Sequence, residues 1–204
     1  MKVVFIHGWG LGPSCWELLR MALPSRESLC LNLGFLEKTM PQDLEEPAIL
    51  ITHSLGALYA LRHHADYIRG LVAINAAPCF SAFTPPEILQ TMKAGLEKNP
   101  RAQMRSFYAA AGLPPDHWPQ GWNVPRLQEG LNWLAEWDLR PQLKALSCPV
   151  LALLGAQDQI APLSAAQGQW QGFETHIREE AAHALPVTEP KWCADHIQRF
   201  IKTL

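Results

Sequence analysis

The sequence predicts a single α/β domain built around a parallel β-sheet, and three observations support this. Its 204 residues match the usual size of one domain. Hydrophobic residues make up 48% of the chain and charged residues 18%, which suffices for a buried core and argues against disorder. Short apolar segments alternate with helix-like segments, a pattern typical of parallel strands joined by helices.

Six apolar segments bounded by glycine, proline or charged residues are predicted to form strands. They occupy residues 3–6, 28–32, 48–52, 68–74, 150–154 and 174–178. Helices are predicted at residues 13–23, 55–64 and 190–204, with one helical turn at residues 42–46. Because such segments connect the strands, we expect a mostly parallel, six-stranded sheet.

Residues 79–147 interrupt this alternation. Helix-forming residues there mix with aromatic residues and with eight prolines, and the series Pro100, Pro114, Pro115, Pro119 and Pro125 predicts several short helices instead of one long helix. We expect a helical cap inserted into a core formed by residues 1–78 and 148–204. Such a cap either acts as a lid that shapes a pocket or only covers the core, and its position in the chain favours the lid.

Charge and cysteine content exclude several classes of function. Seventeen Lys and Arg residues against nineteen Asp and Glu residues give a net charge of −2, without the basic excess expected of a nucleic-acid-binding protein. The five cysteines are scattered and include no Cys-x-x-Cys pair, which favours reduced thiols in the cytoplasm over disulfides or a zinc site. No apolar stretch is long enough for a signal peptide or a membrane span.

Residues 50–57, Leu-Ile-Thr-His-Ser-Leu-Gly-Ala, contain the candidate nucleophile. An apolar strand that runs into Ser54, Gly56 and a helix resembles the nucleophile elbow Gly-x-Ser-x-Gly, in which a strained turn exposes the serine hydroxyl. Thr52 replaces the first glycine, so either the turn adjusts or activity is altered. Taken alone, this segment is equally consistent with a serine that caps an ordinary helix.

The first strand leads into Phe-Ile-His-Gly-Trp-Gly at residues 5–10. A glycine-flanked turn there is suited to aim a main-chain N–H group at a developing oxyanion, and the residue after the nucleophile supplies a second one. The predicted donors are therefore the main-chain N–H groups of Trp9 and Leu55, with the Trp9 side chain as a wall of the pocket. His7 belongs to the tight turn, and we expect it to bind the main chain.

The loops after the fifth and sixth predicted strands contain the candidate acid and the candidate base. Asp158 follows the fifth strand, at the end where parallel sheets place their sites, although a loop aspartate is also common in turns and caps. The turn after the fourth strand contains Asn75 and offers no carboxylate. His183 lies in the loop after the last strand and is the candidate base. His53 is expected to point away from Ser54.

Ser54, Asp158 and His183 occur in the order nucleophile, acid, base, which is characteristic of α/β-hydrolases and differs from that of chymotrypsin and subtilisin. These residue types predict that His183 removes the Ser54 proton, Ser54 attacks a carbonyl group and Asp158 orients the imidazole. Water then releases the acyl group. This chemistry needs neither a metal nor a cofactor.

The chain resembles the α/β-hydrolase family and, within it, esterases of biotin synthesis that act on an acyl chain attached to a carrier protein. The resemblance covers most of the chain and rests on these segments: Ile6-His-Gly-Trp-Gly-Leu with Trp16, Leu131-Asn-Trp-Leu, Asp138-Leu-Arg-Pro-Gln-Leu, Cys148-Pro-Val-Leu, Gly155-x-x-Asp158 and Ala181-Ala-His-Ala. It implies an α/β-hydrolase fold, here with a sheet reduced to six strands because the N-terminal hairpin of most relatives is missing. It also implies a serine carboxylesterase that cleaves the methyl ester of a carrier-bound dicarboxylic acyl chain.

The same resemblance implies roles for four residues of the cap. Phe107 and Tyr108 correspond to pocket residues that contact the acyl chain, and Arg101 and Arg105 correspond to residues that dock the acidic acyl-carrier protein. Four-residue spacing puts both arginines on one helix face, which could equally be a solvated surface. Two other functions stay open: a general short-chain esterase or thioesterase, and a catalytically silent binding protein with a hydrolase fold.

Overall fold

The computed structural model describes residues 1–24, 27–36 and 43–204. The strands are β1 (Lys2–Ile6), β2 (Ser28–Leu31), β3 (Ala48–His53), β4 (Ile68–Ile74), β5 (Val150–Gly155) and β6 (Glu174–Arg178). They form one sheet in the order β2-β1-β3-β4-β5-β6, and every neighbouring pair is parallel. The predicted six-stranded α/β architecture is confirmed, with each strand end within one residue of its prediction.

Helices lie between most consecutive strands and after β6. They are α1 (Glu17–Ala22), α2 (Leu55–His63), α3 (Pro86–Lys98), α4 (Pro100–Ala110), α5 (Val124–Glu136), α6 (Arg140–Ala145), α7 (Leu163–Gln169), α8 (Leu185–Thr188) and α9 (Pro190–Ile201). Short 3₁₀ turns add residues Pro13–Trp16, Ala65–Tyr67 and Pro115–His117. No helix in the described part of the chain combines the length and apolar character that crossing a membrane requires.

Four helix predictions need correction. The segment predicted as one helix at 13–23 is a 3₁₀ turn followed by α1, α2 ends at His63, and the last helix ends at Ile201. The helical turn predicted at 42–46 begins outside the described residues, and residues 43–46 are not helical. Pro47 follows them directly, and a residue before proline disfavours the helical conformation.

The core has two layers, one on each face of the sheet. Along β1, Val3 and Phe5 pack into the layer beneath α1 and α9, whereas Val4 and Ile6 pack into the layer beneath α2. All residues of β3 and β5 are buried, as expected of inner strands covered on both faces. The central strands, at whose ends the candidate residues lie, are therefore fixed from both sides.

The chain order reverses between β1 and β3, since β1 pairs with β2 on one side and with β3 on the other. The connections that follow β1 and β3 therefore run toward opposite edges of the sheet, and parallel sheets bind their ligands at such a point, at the carboxyl ends of the strands. Helices α3 to α6 lie between β4 and β5 in the chain. The two ends of this segment meet, because Leu139 N donates to Pro78 O at 2.8 Å.

Candidate active site

Ser54 forms a sharp turn between β3 and α2. Its backbone angles, φ 52° and ψ −123°, lie in a region that residues other than glycine rarely adopt, and its N–H donates to Ile74 O at 3.0 Å. The side chain is half-buried and lines a cavity. A strained strand-to-helix turn that presents a serine hydroxyl to a cavity is the geometry of a nucleophile elbow.

Thr52, which replaces a glycine of the elbow motif, fits without distorting β3. Its side chain is fully buried, and Oγ1 donates a hydrogen bond to Val72 O at 2.8 Å. Its partner on β4 is the small residue Ala73, which leaves room for the branched side chain. The turn accommodates Thr52 because the unusual backbone conformation falls on Ser54 and not on Thr52.

Two glycines allow the first loop and the elbow to approach each other. A Cβ atom on Gly56 would lie 2.2 Å from Ile6 O, so only glycine lets α2 pack directly on the end of β1. A Cβ atom on Gly8 would lie 2.8 Å from His53 Nδ1 and 3.0 Å from Ser54 Cβ. The turn that carries Trp9 is thereby held against the candidate nucleophile.

The structure brings Ser54, Asp158 and His183 together, although they are far apart in the chain. His183 Nδ1 lies 2.7 Å from Asp158 Oδ2, and His183 Nε2 lies 3.0 Å from Ser54 Oγ. Because a carboxylate only accepts hydrogen bonds, Nδ1 carries the proton and Nε2 is free to accept the serine proton. This is the relay from hydroxyl to imidazole to carboxylate that serine hydrolases use.

Asp158 is held by its own loop after β5. Its Oδ1 atom accepts hydrogen bonds from Ile160 N at 2.8 Å and Ala161 N at 2.9 Å, which leaves Oδ2 for the imidazole. The side chains of Asp158 and His183 are both buried. A buried carboxylate with both oxygens engaged cannot rotate easily, so it fixes the orientation and the tautomer of the imidazole.

Leu55 and Trp9 are the residues predicted to bind an oxyanion through their main-chain N–H groups; Leu55 follows Ser54 in the chain, and Trp9 lines the same cavity as Ser54. Leu55 is the first residue of α2, so its N–H group has no partner within the helix and lies at the positive end of the helix dipole. Trp9 lies in the turn after β1; its side chain is buried, and Nε1 donates to Leu127 O at 2.8 Å. The oxyanion roles of these two residues stay predictions.

Two other buried histidines are engaged by the main chain. His7 Nδ1 donates to Gly8 O at 2.9 Å and His7 Nε2 accepts from Leu33 N at 3.0 Å, while burial lowers the pKa of His7 to about 4. His53 Nε2 donates to His183 O at 2.9 Å, and burial lowers the pKa of His53 to about 3. Both rings are therefore neutral at neutral pH, and neither is placed to act as the base.

An apolar cavity of about 190 Å³ adjoins Ser54. Its apolar lining comes mostly from the segment between β4 and β5 and consists of Trp9, Phe80, Phe83, Ile88, Leu89, Met92, Phe107, Leu134, Ile160 and Pro162. None of the described residues that line it is charged. A cavity of about 320 Å³ between α1 and α9 is larger, but no member of the Ser54, Asp158 and His183 set lines it.

Of the two predicted substrate contacts in the cap, only Phe107 lines this cavity. Phe107 also packs edge-on against Trp9, with ring centroids 4.7 Å apart. Tyr108 is fully buried behind it; its hydroxyl donates to Gly10 O at 2.7 Å and accepts from Trp122 Nε1 at 3.0 Å. The structure therefore does not place Tyr108 in contact with the cavity, and this residue instead supports the turn that carries Trp9.

Arg101 and Arg105 are both exposed on α4. The Arg105 guanidinium lies over the Trp118 ring, 5.7 Å from its centroid. Neither arginine pairs with a carboxylate of the described residues, so both present free positive charge to the solvent. Their role in docking stays a prediction.

Asn75 is a residue of the site that the sequence did not reveal. It lies at the end of β4 with φ 44°, is buried, and its side-chain amide bonds to Ala182 O, His183 O and Gly155 N. The available signal was an asparagine directly after a buried strand, at the sheet edge shared by the other candidates. Within residues 1–24, 27–36 and 43–204, no three His, Cys, Asp or Glu side chains are grouped to hold a metal ion.

Esterases are among the known proteins with similar sequences. The chain is 31% identical to the pimeloyl-[acyl-carrier protein] methyl ester esterase of Vibrio vulnificus strain CMCP6, over 93% of this chain and 89% of the relative. It is 25% identical to the protein of the same name from Aeromonas hydrophila, over 98% of this chain and 94% of the relative.

Solved structures share the fold at lower identity. An esterase from Exiguobacterium antarcticum superimposes with a TM-score of 0.84 at 16% identity, over 99% of this chain and 92% of the other. A bromoperoxidase from Bacillus anthracis gives a TM-score of 0.84 at 19% identity, over 98% of this chain and 91% of the other. The model of the alpha/beta hydrolase family matches residues 3–196. The chain therefore belongs to the alpha/beta hydrolase family, as the sequence motifs predicted.

Proposed function

We propose that this protein is a serine carboxylesterase that hydrolyses the methyl ester of pimeloyl-[acyl-carrier protein] to methanol and the free acid. The observation that carries the proposal is the contact of Ser54 Oγ with His183 Nε2 at 3.0 Å, beside an apolar cavity and with Asp158 behind the imidazole. Relatives that bear this activity as their name, at 25–31% identity, support the choice of substrate.

The reaction uses only groups of this chain and water. His183 Nε2 takes the Ser54 proton as Oγ attacks the ester carbonyl, and the resulting oxyanion accepts hydrogen bonds from the N–H groups of Trp9 and Leu55. His183 then gives this proton to the methoxy oxygen, which departs as methanol and leaves the acyl group on Ser54. In the second half, water loses a proton to His183 and attacks the acyl carbonyl. The bond from the carbonyl carbon to Ser54 Oγ then breaks, and His183 returns the proton to Oγ, which restores the serine and frees the acid.

The lining of the cavity favours a neutral ester with an apolar acyl chain. A carboxylate buried there would lose its hydration and would find no cation. Burial of methylene groups against Phe80, Met92 and Phe107, in contrast, has a favourable free energy. A methyl ester therefore fits, and its charged acid product is expelled. We further propose that residues 79–147 form a cap over a core of residues 1–78 and 148–204, because this segment supplies most of the lining.

The exposed arginines of α4 suit an acidic protein partner. Arg101 and Arg105 are both exposed, and Lys98, the exposed last residue of α3, precedes Arg101 by three residues, so a further cation lies near the start of α4. These cations would raise the encounter rate with an acidic acyl-carrier protein, with an effect that decreases as salt increases. All five cysteines are free thiols, which agrees with a cytoplasmic enzyme.

Charge reversal at both arginines tests the carrier-protein assignment. Arg101→Glu with Arg105→Glu should raise KM for the methyl-pimeloyl carrier protein, most strongly at low salt, and leave hydrolysis of a p-nitrophenyl ester unchanged. Lys191→Glu with Lys202→Glu, at exposed positions at the two ends of α9, is the control for net charge, because it changes the charge by the same four units. Equal loss on both substrates would indicate a damaged cap, and no loss on either would contradict docking at α4.

Growth provides an independent test of the substrate. The gene should restore growth without biotin to bacteria that lack their own pimeloyl methyl ester esterase, and the Ser54→Ala variant should not. A protein that is well expressed, hydrolyses p-nitrophenyl esters and fails to restore growth would instead be a general short-chain esterase. A protein that fails in both assays would be a binding protein with a hydrolase fold.

A further inference from the structure

Side chains outside the catalytic set hold the main chain of the His183 loop. The carbonyl oxygen of His183 accepts two hydrogen bonds from buried donors, His53 Nε2 at 2.9 Å and Asn75 Nδ2 at 2.9 Å. Asn75 Nδ2 also donates to Ala182 O at 2.8 Å. Because a carbonyl oxygen can only accept, the proton of the His53 ring must lie on Nε2. The peptide group between His183 and Ala184 is therefore held by two side chains.

The same asparagine also reaches the loop of the acid. Asn75 Oδ1 accepts from Gly155 N at 2.6 Å, at the end of β5 and three residues before Asp158. Its own N–H donates to Leu153 O at 2.8 Å. With φ at 44°, Asn75 adopts a left-handed conformation that asparagine tolerates better than most residues. One buried amide thus joins the loops that carry the acid and the base.

We propose that Asn75 and His53 are positioning residues that hold the main chain at His183 and so set the distance between its imidazole and Ser54. The inference rests on the proposed esterase function. Neither side chain lines the cavity beside Ser54, so neither is placed to touch the substrate. Both donate to the carbonyl oxygen of His183, and the His53 ring also packs against the His183 ring with centroids 4.9 Å apart. A displacement of about 1 Å at a catalytic group can lower the rate by about 100-fold.

The two donors share one acceptor, so their losses should not be independent. Removing either donor leaves the buried carbonyl with one partner, whereas removing both leaves it with none, which costs more than the loss of one hydrogen bond. Losing both donors should therefore lower kcat by more than the product of the two single effects.

Four variants separate positioning from general stability. Asn75→Gly removes the amide and suits the positive φ, His53→Leu removes the ring N–H, and His53→Gln keeps an amide donor at a similar reach. Asn123→Ala is the matched control, since Asn123 also bonds a main-chain carbonyl, Gly34 O at 3.0 Å, but contacts no member of the catalytic set.

Asn75→Gly should lower kcat for a p-nitrophenyl ester by about 10- to 100-fold with little change in KM. His53→Gln should retain more activity than His53→Leu, and the Asn75→Gly, His53→Leu double variant should lose more than the product of both. Asn123→Ala should lose stability but not kcat. Equal kcat losses in Asn75→Gly and Asn123→Ala at equal loss of Tm, or a folded double variant with unchanged kcat, would overturn the proposal.

An NMR measurement tests the positioning role of Asn75 without an ester substrate. In protein labelled with ¹⁵N-histidine, the Nδ1 proton of His183 should be visible because it is hydrogen-bonded to Asp158, and His183→Ala identifies its signal. The signal should shift or vanish in Asn75→Gly and persist in Asn123→Ala. An unchanged signal in Asn75→Gly would overturn the positioning role. Absence of esterase activity in the wild type would count against the proposed function alone.

Discussion

Replacing Gly56 by alanine should impair both stability and catalysis. The new Cβ atom would lie 2.2 Å from Ile6 O and 2.8 Å from His7 O, whereas ordinary contacts begin near 3.4 Å. Both contacts are main-chain oxygens, which cannot rotate away, so the start of α2 must move from β1 by about 1 Å. Overpacking of this kind costs about 1–3 kcal/mol, partly offset by the higher helix propensity of alanine, about 1 kcal/mol.

The displacement acts on the elbow, because Ser54 and Leu55 directly precede Gly56. A shift of about 1 Å of the nucleophile and of its oxyanion donor should lower kcat/KM by about 100-fold. Gly168→Ala in α7 is the control, since no atom lies within 4 Å of its added methyl group, and it should be neutral or stabilising. Urea unfolding and p-nitrophenyl butyrate hydrolysis measure the two effects. A Gly56→Ala protein as stable and as active as the wild type would refute the close packing of α2 on β1.

Three further predictions concern the acid, the buried histidines and the elbow threonine. Asp158→Asn should lower kcat on a p-nitrophenyl ester by about 10⁴-fold through a wrong imidazole tautomer, and near-normal kcat would exclude Asp158 as the acid. Burial lowers the pKa of His7 to about 4 and of His53 to about 3, so the unfolded chain binds more protons below about pH 6.5. The free energy of unfolding in urea should therefore fall by about 4 kcal/mol from pH 7 to pH 5, and a pH-independent value would contradict the burial of both rings. Thr52→Val should cost about 1 kcal/mol through the lost bond to Val72 O and leave kcat nearly unchanged, whereas a large loss of kcat would show that Thr52 controls the elbow.

Sequence patterns predicted the sheet well because its strands are short apolar segments with clear ends. Helix predictions failed where the segment is short or where a proline directly follows it. α7 and α8 were not predicted, since segments of seven and four residues carry too little periodicity to distinguish a helix from a loop. The proposed helical turn at 42–46 ignored Pro47, which directly follows it and disfavours helix in the preceding residue.

Within the site, the position of a residue at the end of a strand was a better predictor of its role than its place in a short motif of adjacent residues. Ser54, Asp158 and His183 could be selected because each follows a strand, and all parallel strands end at one edge of the sheet. Phe107 and Tyr108 are adjacent on α4, where successive side chains point about 100° apart, so both could not face the cavity. The contacts of Asn75 arise only when three loops meet, which no local pattern records.

Covalent labelling of Ser54 tests the central claim most directly. A fluorophosphonate reacts with an activated serine hydroxyl, so one equivalent should attach to the wild-type protein, and peptide mass mapping should locate it on Ser54. The adduct should be absent in Ser54→Ala and form much more slowly in His183→Ala. An adduct on another residue, or undiminished ester hydrolysis by Ser54→Ala, would contradict the assignment of Ser54 as the nucleophile.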